Sequence, residues 1–526
     1  MTSTDLKNSA KGGERITPPA FLESVWRDPK TGIAITIFIA AFSALIIFMS
    51  MPGGPTTAAQ ALLVMGIGLS TGLIAGLAAK SRWTRLLAPA AFVLTTEIMW
   101  LNIHGTTVDA IRLDNVYGIL AFILGRGFFG LLALLPMILG VSLGAEAGRR
   151  LSGTAAPPAG GFNALLRRAP TVIVSVFLIA LAVTIVLPPY TPPIPGDDGK
   201  PLPGSIAELT SVNLGGHEQT IMIRGNDTDN PVILYLSGGP GQSDLAYTRV
   251  LFAELEKNFV VVSWDQRGNG KSYSALHPES TLTLESATSD TIELTNYLRE
   301  RFGEDKIYLI GESYGTILGV QAVKNRPDLY YAYIGSGQMV CPKETDRRLW
   351  QEVNDYANRT GDKQLSDTMN SYGHPPYRDI YGYITVMSYY DALAGPYDPP
   401  EDYINRGRSS GIGPFGVLGS EYSLVEKVNV LRGLLDMFSI MYPRLQDIDY
   451  RNDAEKLDVP VYLLDAEHEL SARRDLAVEW YNGLEAPHKE MITYRNAGHS
   501  VVFEECYNFS RYMNQTIMPD TYPGHK

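Results

Sequence analysis

Ser313 stands in a pattern that is typical of a nucleophilic serine. Residues 311–315 read Gly-Glu-Ser-Tyr-Gly, between an apolar run at 307–310 and another at 316–320. This order predicts a strand, a sharp turn and a helix, with the serine hydroxyl lifted out of the turn. Small flanking residues suit such a turn, because its backbone is strained and the helix passes close by. The alternative is an ordinary serine in a glycine-bounded turn.

A nucleophilic serine needs a base, because its hydroxyl is unreactive at its ordinary pKa. Of the eight histidines, His499 is best placed to serve. The sequence Gly498-His499-Ser500 follows the last predicted strand and comes after Ser313 in the chain, the order expected for a serine–histidine pair of this type. A surface or structural histidine is the alternative.

Six short apolar runs, bounded by turn residues, predict the strands that would position these groups. Most of them alternate with amphipathic stretches such as 287–302, which indicates an α/β sheet of mainly parallel strands. Ligand chemistry is expected at the carboxyl ends of those strands. The predicted strands are Val232–Leu236, Phe259–Trp264, Ile307–Ile310, Tyr331–Ile334, Val461–Leu464 and Met491–Tyr494.

Two segments interrupt this alternation. Runs at 206–213 and 218–224, separated by Gly215-Gly216, predict a β-hairpin before the first parallel strand. The insertion at about 340–455 is too long for a plain loop and rich in tyrosine, so we predict a mainly helical cap over the site. Its aromatic residues could also form a small core of their own.

Charge is divided unevenly along the 526 residues. Residues 1–188 carry 14 Lys and Arg against 8 Asp and Glu, and the remainder carries 30 against 48. A phosphate backbone attracts clustered basic residues, so the acidic second part argues against nucleic acid as a partner.

Five apolar stretches in the first part are long enough, or nearly so, to cross about 30 Å of hydrocarbon as helices. A cleavable signal peptide does not fit, because about thirty polar residues precede the first stretch and four more stretches follow it. Buried helices of a soluble protein are the other alternative. The stretches are 33–51, 57–79, 86–103, 116–145 and 170–188.

The positive residues around these spans predict their orientation. They concentrate before the first span and in the second and fourth loops, which places the N-terminus in the cytoplasm. An odd number of spans would then put everything after residue 188 on the extracytoplasmic side. The residues are Lys7, Lys11, Arg15, Arg27 and Lys30, then Lys80, Arg82 and Arg85, then Arg149, Arg150, Arg167 and Arg168, whereas the first and third loops hold only Arg112.

Arg126 lies inside the fourth apolar stretch, where an unpaired cation is costly. It could face the bundle interior, with Glu97 of the third span as a partner, or extend to the outer interface. The only cysteines, Cys341 and Cys506, fall in the second part, where a disulfide could persist, but the sequence leaves their pairing open. No cluster has the spacing of a metal site, and we expect neither a metal nor another cofactor.

These patterns divide the chain into four regions. Residues 1–32 are expected to be a cytoplasmic segment and 33–188 a membrane bundle. Residues 189–204, rich in Pro and Gly, are expected to be an extended spacer, and 205–526 the α/β domain with its cap.

Four motifs, in this order, resemble the prolyl aminopeptidase (proline iminopeptidase) family of α/β-hydrolases. That family carries H-G-G-P-G, D-Q-R-G-x-G-x-S, G-x-S-x-G and a late G-H. The resemblance covers 205–517 and implies an α/β-hydrolase fold. The matching segments here are Ser-Gly-Gly-Pro-Gly at 237–241, Asp-Gln-Arg-Gly-Asn-Gly-Lys-Ser at 265–272, the serine motif at 311–315 and Gly-His at 498–499.

The resemblance also implies roles for some of these residues. The backbone amides of Gly239 and Tyr314 would form an oxyanion hole, and a Gly-rich turn can present such amides without a side chain in the way. The motif at 265–272, in contrast, indicates an architectural role in which Asp265 and Arg267 brace neighbouring loops, and a direct role in chemistry is the alternative. The sequence departs from the family pattern in having Ser237 in place of the first histidine, which weakens the implication of proline specificity.

The acid that would orient His499 is expected in the loop after the strand 461–464. Three carboxylates compete there, namely Asp465, Glu467 and Glu469. Alignment with the matching strand of the family favours Glu469 over Asp465, and a role at a helix start is the alternative for Glu469.

We therefore expect a membrane-anchored serine hydrolase that releases N-terminal residues from short peptides through an acyl-enzyme on Ser313. Family members hold the α-amino group of the substrate with carboxylates of the cap, for which Glu421 and Glu504 are candidates here. The alternatives are an esterase or amidase acting on membrane-derived acyl esters, and a non-catalytic receptor on a hydrolase fold.

Overall fold

The computed structural model describes residues 18–101, 113, 116–154, 161–406 and 416–523. The chain divides into two compact units, the first of 1–104 and 125–186 and the second of 105–124 and 187–526. Four of the cations on which the predicted orientation depends lie outside the described residues, namely Lys7, Lys11, Arg15 and Arg112.

Helices coincide with the predicted membrane spans. Four helical stretches are long and apolar enough to cross a membrane, namely Pro29–Ser50, Ala58–Ala79, Val116–Leu151 and Arg168–Val186. The helices up to residue 186 are α1 (Ala20–Arg27), α2 (Pro29–Ser50), α3 (Ala58–Ala79), α4 (Thr84–Trp100), α5 (Val116–Phe122), α6 (Phe128–Leu151) and α7 (Gly161–Val186), with a π-helical turn at Ile123–Gly127 between α5 and α6.

The predicted span 86–103 is the exception. It corresponds to α4, which has 17 residues and contains Pro89. Such a helix is about 25 Å long, less than the thickness of the hydrocarbon core. Among the described residues, four of the five predicted spans are therefore long and apolar enough to cross a membrane, and the crossing by 86–103 stays a prediction. With four crossings the second unit would lie on the same side as the N-terminus, and with five on the opposite side.

Helices α3 and α6 approach each other closely through facing glycines. A Cβ atom at Gly72 would collide with the carbonyl oxygen of Met137, and one at Gly144 with the carbonyl oxygen of Leu73. In hydrocarbon there is no hydrophobic drive for helices to associate, so close backbone packing through small residues supplies much of the attraction.

Replacing Gly72 with leucine is expected to destabilise the first unit by about 3 kcal/mol or more, because the new side chain must push two helix backbones apart. Gly66 provides a matched control on the same helix, since nothing lies within 4 Å of a Cβ atom placed there. Thermal unfolding in detergent should show a lower midpoint for Gly72→Leu than for Gly66→Leu. Equal midpoints would contradict this packing.

Arg126 forms a bidentate ion pair with Glu97. Its Nε and Nη2 atoms each donate to a carboxylate oxygen at 2.9 Å, and its guanidinium carbon lies 5.0 Å from the centre of the Trp100 ring. The side chain of Arg126 is 11% exposed. The sequence left two interpretations of Arg126, pairing with Glu97 or extension to the outer interface. The structure shows the pairing with Glu97.

An eight-stranded sheet forms the centre of the second unit. Its order is β1-β2-β4-β3-β5-β6-β7-β8, with β1 and β2 antiparallel and β3 to β8 parallel. Every predicted strand is present, and Gly215-Gly216 joins the predicted hairpin. The strands are β1 (Ile206–Leu214), β2 (His217–Gly225), β3 (Val232–Leu236), β4 (Val260–Asp265), β5 (Ile307–Glu312), β6 (Tyr330–Ser336), β7 (Val461–Ala466) and β8 (Lys489–Tyr494).

Helices cover both faces of this sheet. All residues of β3, β4 and β5 are buried, which is the reason that parallel strands read as continuous apolar runs in the sequence. The covering helices are α8 (Leu245–Leu251), α9 (Leu284–Phe302), α10 (Tyr314–Asn325), α18 (Ser471–Gly483), α19 (Val501–Glu504), α20 (Cys506–Tyr512) and α21 (Met518–Thr521).

The insertion between β6 and β7 is helical in its described part, as predicted for a cap. Aromatic side chains from it pack on one another, for example Tyr383 edge-on against Tyr442 and Phe438 stacked on Tyr442. The cap helices are α11 (Pro342–Thr360), α12 (Lys363–Tyr372), α13 (Ile380–Met387), α14 (Tyr390–Ala394), α15 (Glu401–Arg406), α16 (Leu424–Met441) and α17 (Tyr450–Asp453).

The segment 189–204 is extended, but it is held more firmly than a spacer. Buried Arg224 donates from Nη1 to the Thr191 hydroxyl at 2.7 Å and to the Pro192 carbonyl at 2.6 Å. The Tyr190 amide donates to the Ser420 carbonyl. The composition predicted the extended backbone, whereas these long-range bonds fix the segment to the second unit.

Both cysteines are free and buried. Burial raises the pKa of Cys506 to about 11, so this thiol stays protonated at neutral pH. Cys341 and Cys506 therefore do not form a disulfide with each other in this structure.

Candidate active site

Ser313 occupies the strained turn that its motif predicts. It follows β5 directly and precedes α10, with φ 50° and ψ −116°. A side chain at Gly311 would collide with the backbone at Gly315, and one at Gly315 would collide with the Leu236 carbonyl. Positive φ is costly for a serine and persists where the surroundings enforce it, often at functional sites.

His499 and Glu469 form a short hydrogen bond. His499 Nδ1 lies 2.5 Å from Glu469 Oε2, and the Leu470 amide donates to Glu469 Oε1 at 2.8 Å. Burial by itself raises the pKa of Glu469, but the positive charge and hydrogen bond of His499, together with Arg473, lower it to about 2. The carboxylate is therefore ionised at neutral pH and can stabilise an imidazolium.

Asp465, the alternative acid, has other partners. Arg474 donates to both of its oxygens, the shortest contact being 2.8 Å, and the Thr493 hydroxyl donates to Oδ2 at 2.8 Å. Of the three competing carboxylates, Glu469 is thus the one that the structure brings to His499. Its catalytic role stays a prediction.

The turn of Ser313 and the loop of His499 meet at the end of the sheet. The Ser313 amide donates to the Ser336 carbonyl at 2.9 Å. A Cβ atom at the next residue, Gly337, would lie 2.8 Å from His499 Cε1. The Ser500 hydroxyl donates to Glu312 Oε1 at 2.8 Å. The residues that flank the serine and the histidine are therefore in direct contact.

The Gly-rich turn at 237–241 lies beside Ser313. A Cβ atom at Gly238 would lie 3.2 Å from the Ser313 Cβ atom, and Gly239 has φ +108°, a conformation that favours glycine. Tyr314 begins α10, where backbone amides and the helix dipole favour negative charge. The assignment of the amides of Gly239 and Tyr314 to an oxyanion hole remains a prediction.

The motif at residues 265–272 connects neighbouring loops, as its residues suggested. Buried Asp265 accepts from the Ser243 hydroxyl at 2.5 Å and from the Lys271 amide at 2.8 Å. Arg267 donates to Asp290 and to the Gly215 carbonyl. Burial raises the pKa of Asp265 to about 7, so its protonation changes near neutral pH.

The two carboxylates proposed for substrate binding already have protein partners. Glu421 is fully buried and accepts from Arg249 Nε at 2.5 Å. Glu504 Oε2 accepts from the Tyr397 hydroxyl at 2.9 Å and from the Gly498 amide at 3.0 Å. Glu421 Oε2 has no hydrogen-bond partner among the described residues. Glu421 thus has one buried oxygen without a hydrogen-bond partner among the described residues, whereas Glu504 joins the cap to the histidine loop.

Three neighbours of this site were not identified from the sequence. Arg473 Nη1 lies 3.7 Å from Glu469 Oε1, Glu312 is buried beneath the turn 237–241, and the Tyr390 hydroxyl donates to the His468 carbonyl at 3.1 Å. The only available signals were weak: Arg473 follows Glu469 by four residues, and Glu312 is the variable residue of the serine motif. In the described part of the chain, no group of His, Cys, Asp and Glu is arranged to hold a metal.

Comparison with known proteins identifies the class. A sequence profile of the alpha/beta hydrolase fold matches residues 231–505, just over half of the chain. The probable aminopeptidase YbaC of Bacillus subtilis strain 168 is 30% identical over 302 residues, which cover 57% of this chain and 93% of the relative. A proline iminopeptidase of Clostridioides difficile strain 630 is 29% identical over 201 residues, 37% of this chain and 65% of that protein.

The chain belongs to the α/β-hydrolase family, and the predicted fold class and family resemblance are confirmed. Among solved structures, the proline iminopeptidase-related protein of Thermus thermophilus is 19% identical with a TM-score of 0.42, covering 60% of this chain and 99% of that one.

Proposed function

We propose that this protein is a membrane-anchored serine hydrolase that releases N-terminal residues from short peptides through an acyl-enzyme on Ser313. The observation that carries the proposal is the bond between His499 and Glu469, on loops that border the strained turn of Ser313. Relatives named as aminopeptidases support a peptide substrate.

In this mechanism His499 takes the proton from the Ser313 hydroxyl as the oxygen attacks the peptide carbonyl. Glu469 holds the proton of Nδ1 and stabilises the imidazolium that forms. The amides of Gly239 and Tyr314 receive the negative charge on the carbonyl oxygen. His499 then gives its proton to the leaving amine, and water releases the acyl group by the same steps in reverse order.

A carboxylate of the cap would select substrates with a free α-ammonium group. We assign this role to Glu421 in preference to Glu504, because Glu421 Oε2 lacks a partner within the described residues, whereas Glu504 Oε2 already accepts from both Tyr397 and Gly498. A charge-assisted hydrogen bond to the ammonium would position the first peptide bond at Ser313.

Purified protein is expected to release the chromophore from aminoacyl p-nitroanilides, and N-acetylation of the same compounds should reduce the rate by about 10-fold or more. The same preparation is tested on p-nitrophenyl acyl esters. Equal rates on free and acetylated amides would contradict the aminopeptidase proposal, and turnover confined to the esters would indicate an esterase. No turnover of any of these compounds would support a receptor.

The proposed location of the second unit is extracytoplasmic, on the basis of the cation distribution. An epitope tag is placed at the C-terminus, and protease is added to cells whose cytoplasmic membrane is intact but whose outer layers have been made permeable. The protease is expected to remove the tag, while a cytoplasmic marker survives. Loss of the tag only after the membrane is opened would mean an even number of crossings, as four spans would give.

A further inference from the structure

A buried guanidinium lies against the histidine–carboxylate pair. Arg473 is 9% exposed, and its Nη1 atom lies 3.4 Å from His499 Nδ1 and 3.7 Å from Glu469 Oε1. Its Nη2 atom contacts the sulfur of Met387 in the cap at 3.3 Å. A buried charge needs a partner of opposite charge. Among the described ion pairs, Glu469 is the carboxylate that lies within 4 Å of Arg473.

Other charged and titratable groups face this cluster from every element around it. Burial raises the pKa of Glu312, which accepts from the Ser500 hydroxyl. Burial also raises the pKa of Asp346 to about 6. Further groups near the cluster are Tyr390 of the cap, whose ring centre lies 6.3 Å from that of His499, and Glu504, which accepts from the Gly498 amide. They also include Tyr397, which donates to Glu504, Tyr442, which donates to Asp346, and His468, next to Glu469 in the sequence.

Glu469 thus differs from its acidic neighbours. Burial favours the neutral forms of Glu312 and Asp346, whereas His499 and Arg473 favour the ionised form of Glu469. When His499 is neutral, Arg473 and Glu469 balance each other. When His499 gains a proton, two cations share one carboxylate, and the imidazolium is disfavoured by its like-charged neighbour.

We propose that Arg473 is a positioning residue that directs Glu469 toward His499 and keeps the imidazole in its unprotonated, basic form under mildly acidic conditions. The inference rests on the proposed function, because it assigns His499 the role of general base. Arg473 makes no contact with the reacting atoms in this scheme and acts through Glu469 and His499.

The sign of the effect follows from the charges. Removal of the guanidinium stabilises the imidazolium relative to the neutral imidazole and moves the acid limb of the rate profile to higher pH. A nearby like charge shifts a pKa by about one unit. On the acid limb, a shift of that size lowers the rate by up to about tenfold relative to the rate on the plateau.

The experiment measures the rate at which a fluorophosphonate labels Ser313 covalently as a function of pH. In parallel, kcat/KM for an aminoacyl p-nitroanilide is measured over the same pH range. Labelling needs the serine and its base but not a peptide substrate, so it still reports on Arg473 if the peptidase proposal fails. Arg473→Met and Arg473→Gln remove the charge, and Arg473→Lys keeps it. Arg474→Met is the control, since Arg474 pairs with Asp465 on the same helix.

The acid limb should move up by about one pH unit in Arg473→Met and Arg473→Gln, and should stay in place in Arg473→Lys and Arg474→Met. An unmoved limb in a folded neutral variant overturns the proposal, whatever the absolute rate of that variant. A limb that also moves in Arg474→Met overturns it too, because the effect would then be a general loss of positive charge. Wild-type protein that is not labelled at any pH would refute both the inference and the proposed function.

Discussion

Replacing Ser313 with alanine is expected to lower kcat by about 10⁴-fold or more, to the rate that substrate binding and the oxyanion hole support alone. The reason is that the substitution removes the nucleophile and leaves His499 without a group to activate. Alanine keeps the Cβ atom, so the strain at φ 50° and the fold should be unchanged. Turnover of an aminoacyl p-nitroanilide and thermal unfolding are the two measurements.

Ser388 is a suitable control for this substitution. It is exposed in the cap and donates to the Thr385 carbonyl, so Ser388→Ala should retain activity within about a factor of two, as surface substitutions usually do. Activity near that of the wild type in a clean Ser313→Ala preparation would end the serine-hydrolase proposal.

Replacing Glu469 with glutamine is expected to lower kcat by about 10³- to 10⁴-fold. Glutamine is nearly the same size, but it has no charge to stabilise the imidazolium and can favour the wrong tautomer of His499. KM should change little, because the contact is made away from the substrate. Steady-state kinetics of Glu469→Gln check this result.

Asp465→Asn is the matched control for Glu469→Gln. Asp465 pairs with Arg474 and Thr493, so its neutralisation should affect stability more than kcat. A severe loss of kcat in Asp465→Asn, together with near-normal activity in Glu469→Gln, would show that the acid has been assigned to the wrong residue.

The strands and the serine turn could be predicted because their signals are local. A strand buried on both faces needs a run of apolar residues, and the tight turn around Ser313 needs glycine at 311 and 315 to admit the neighbouring backbone. The cap was predictable as an insertion, because about 120 residues separate β6 from β7.

The partners of charged residues could not be predicted in the same way. Asp465 and Glu469 lie four residues apart, and the sequence favoured Glu469 without deciding between them. The structure separates them because Asp465 lies within β7 beside Arg474, whereas Glu469 lies beyond the strand and next to His499. Contacts of this kind depend on how distant elements pack.

By itself, the sequence determined the α/β class, the order of the motifs, the apolar helices and the identity of the candidate nucleophile and base. These follow from periodicity, composition and turn chemistry within a few residues. Only the tertiary structure decided that α4 stops at 17 residues, that Glu421 pairs with Arg249, and that Arg473 lies against the Glu469–His499 pair. A buried charge is stabilised by whatever partner the packing brings within a few ångströms, and that distance is not recorded in the order of residues along the chain.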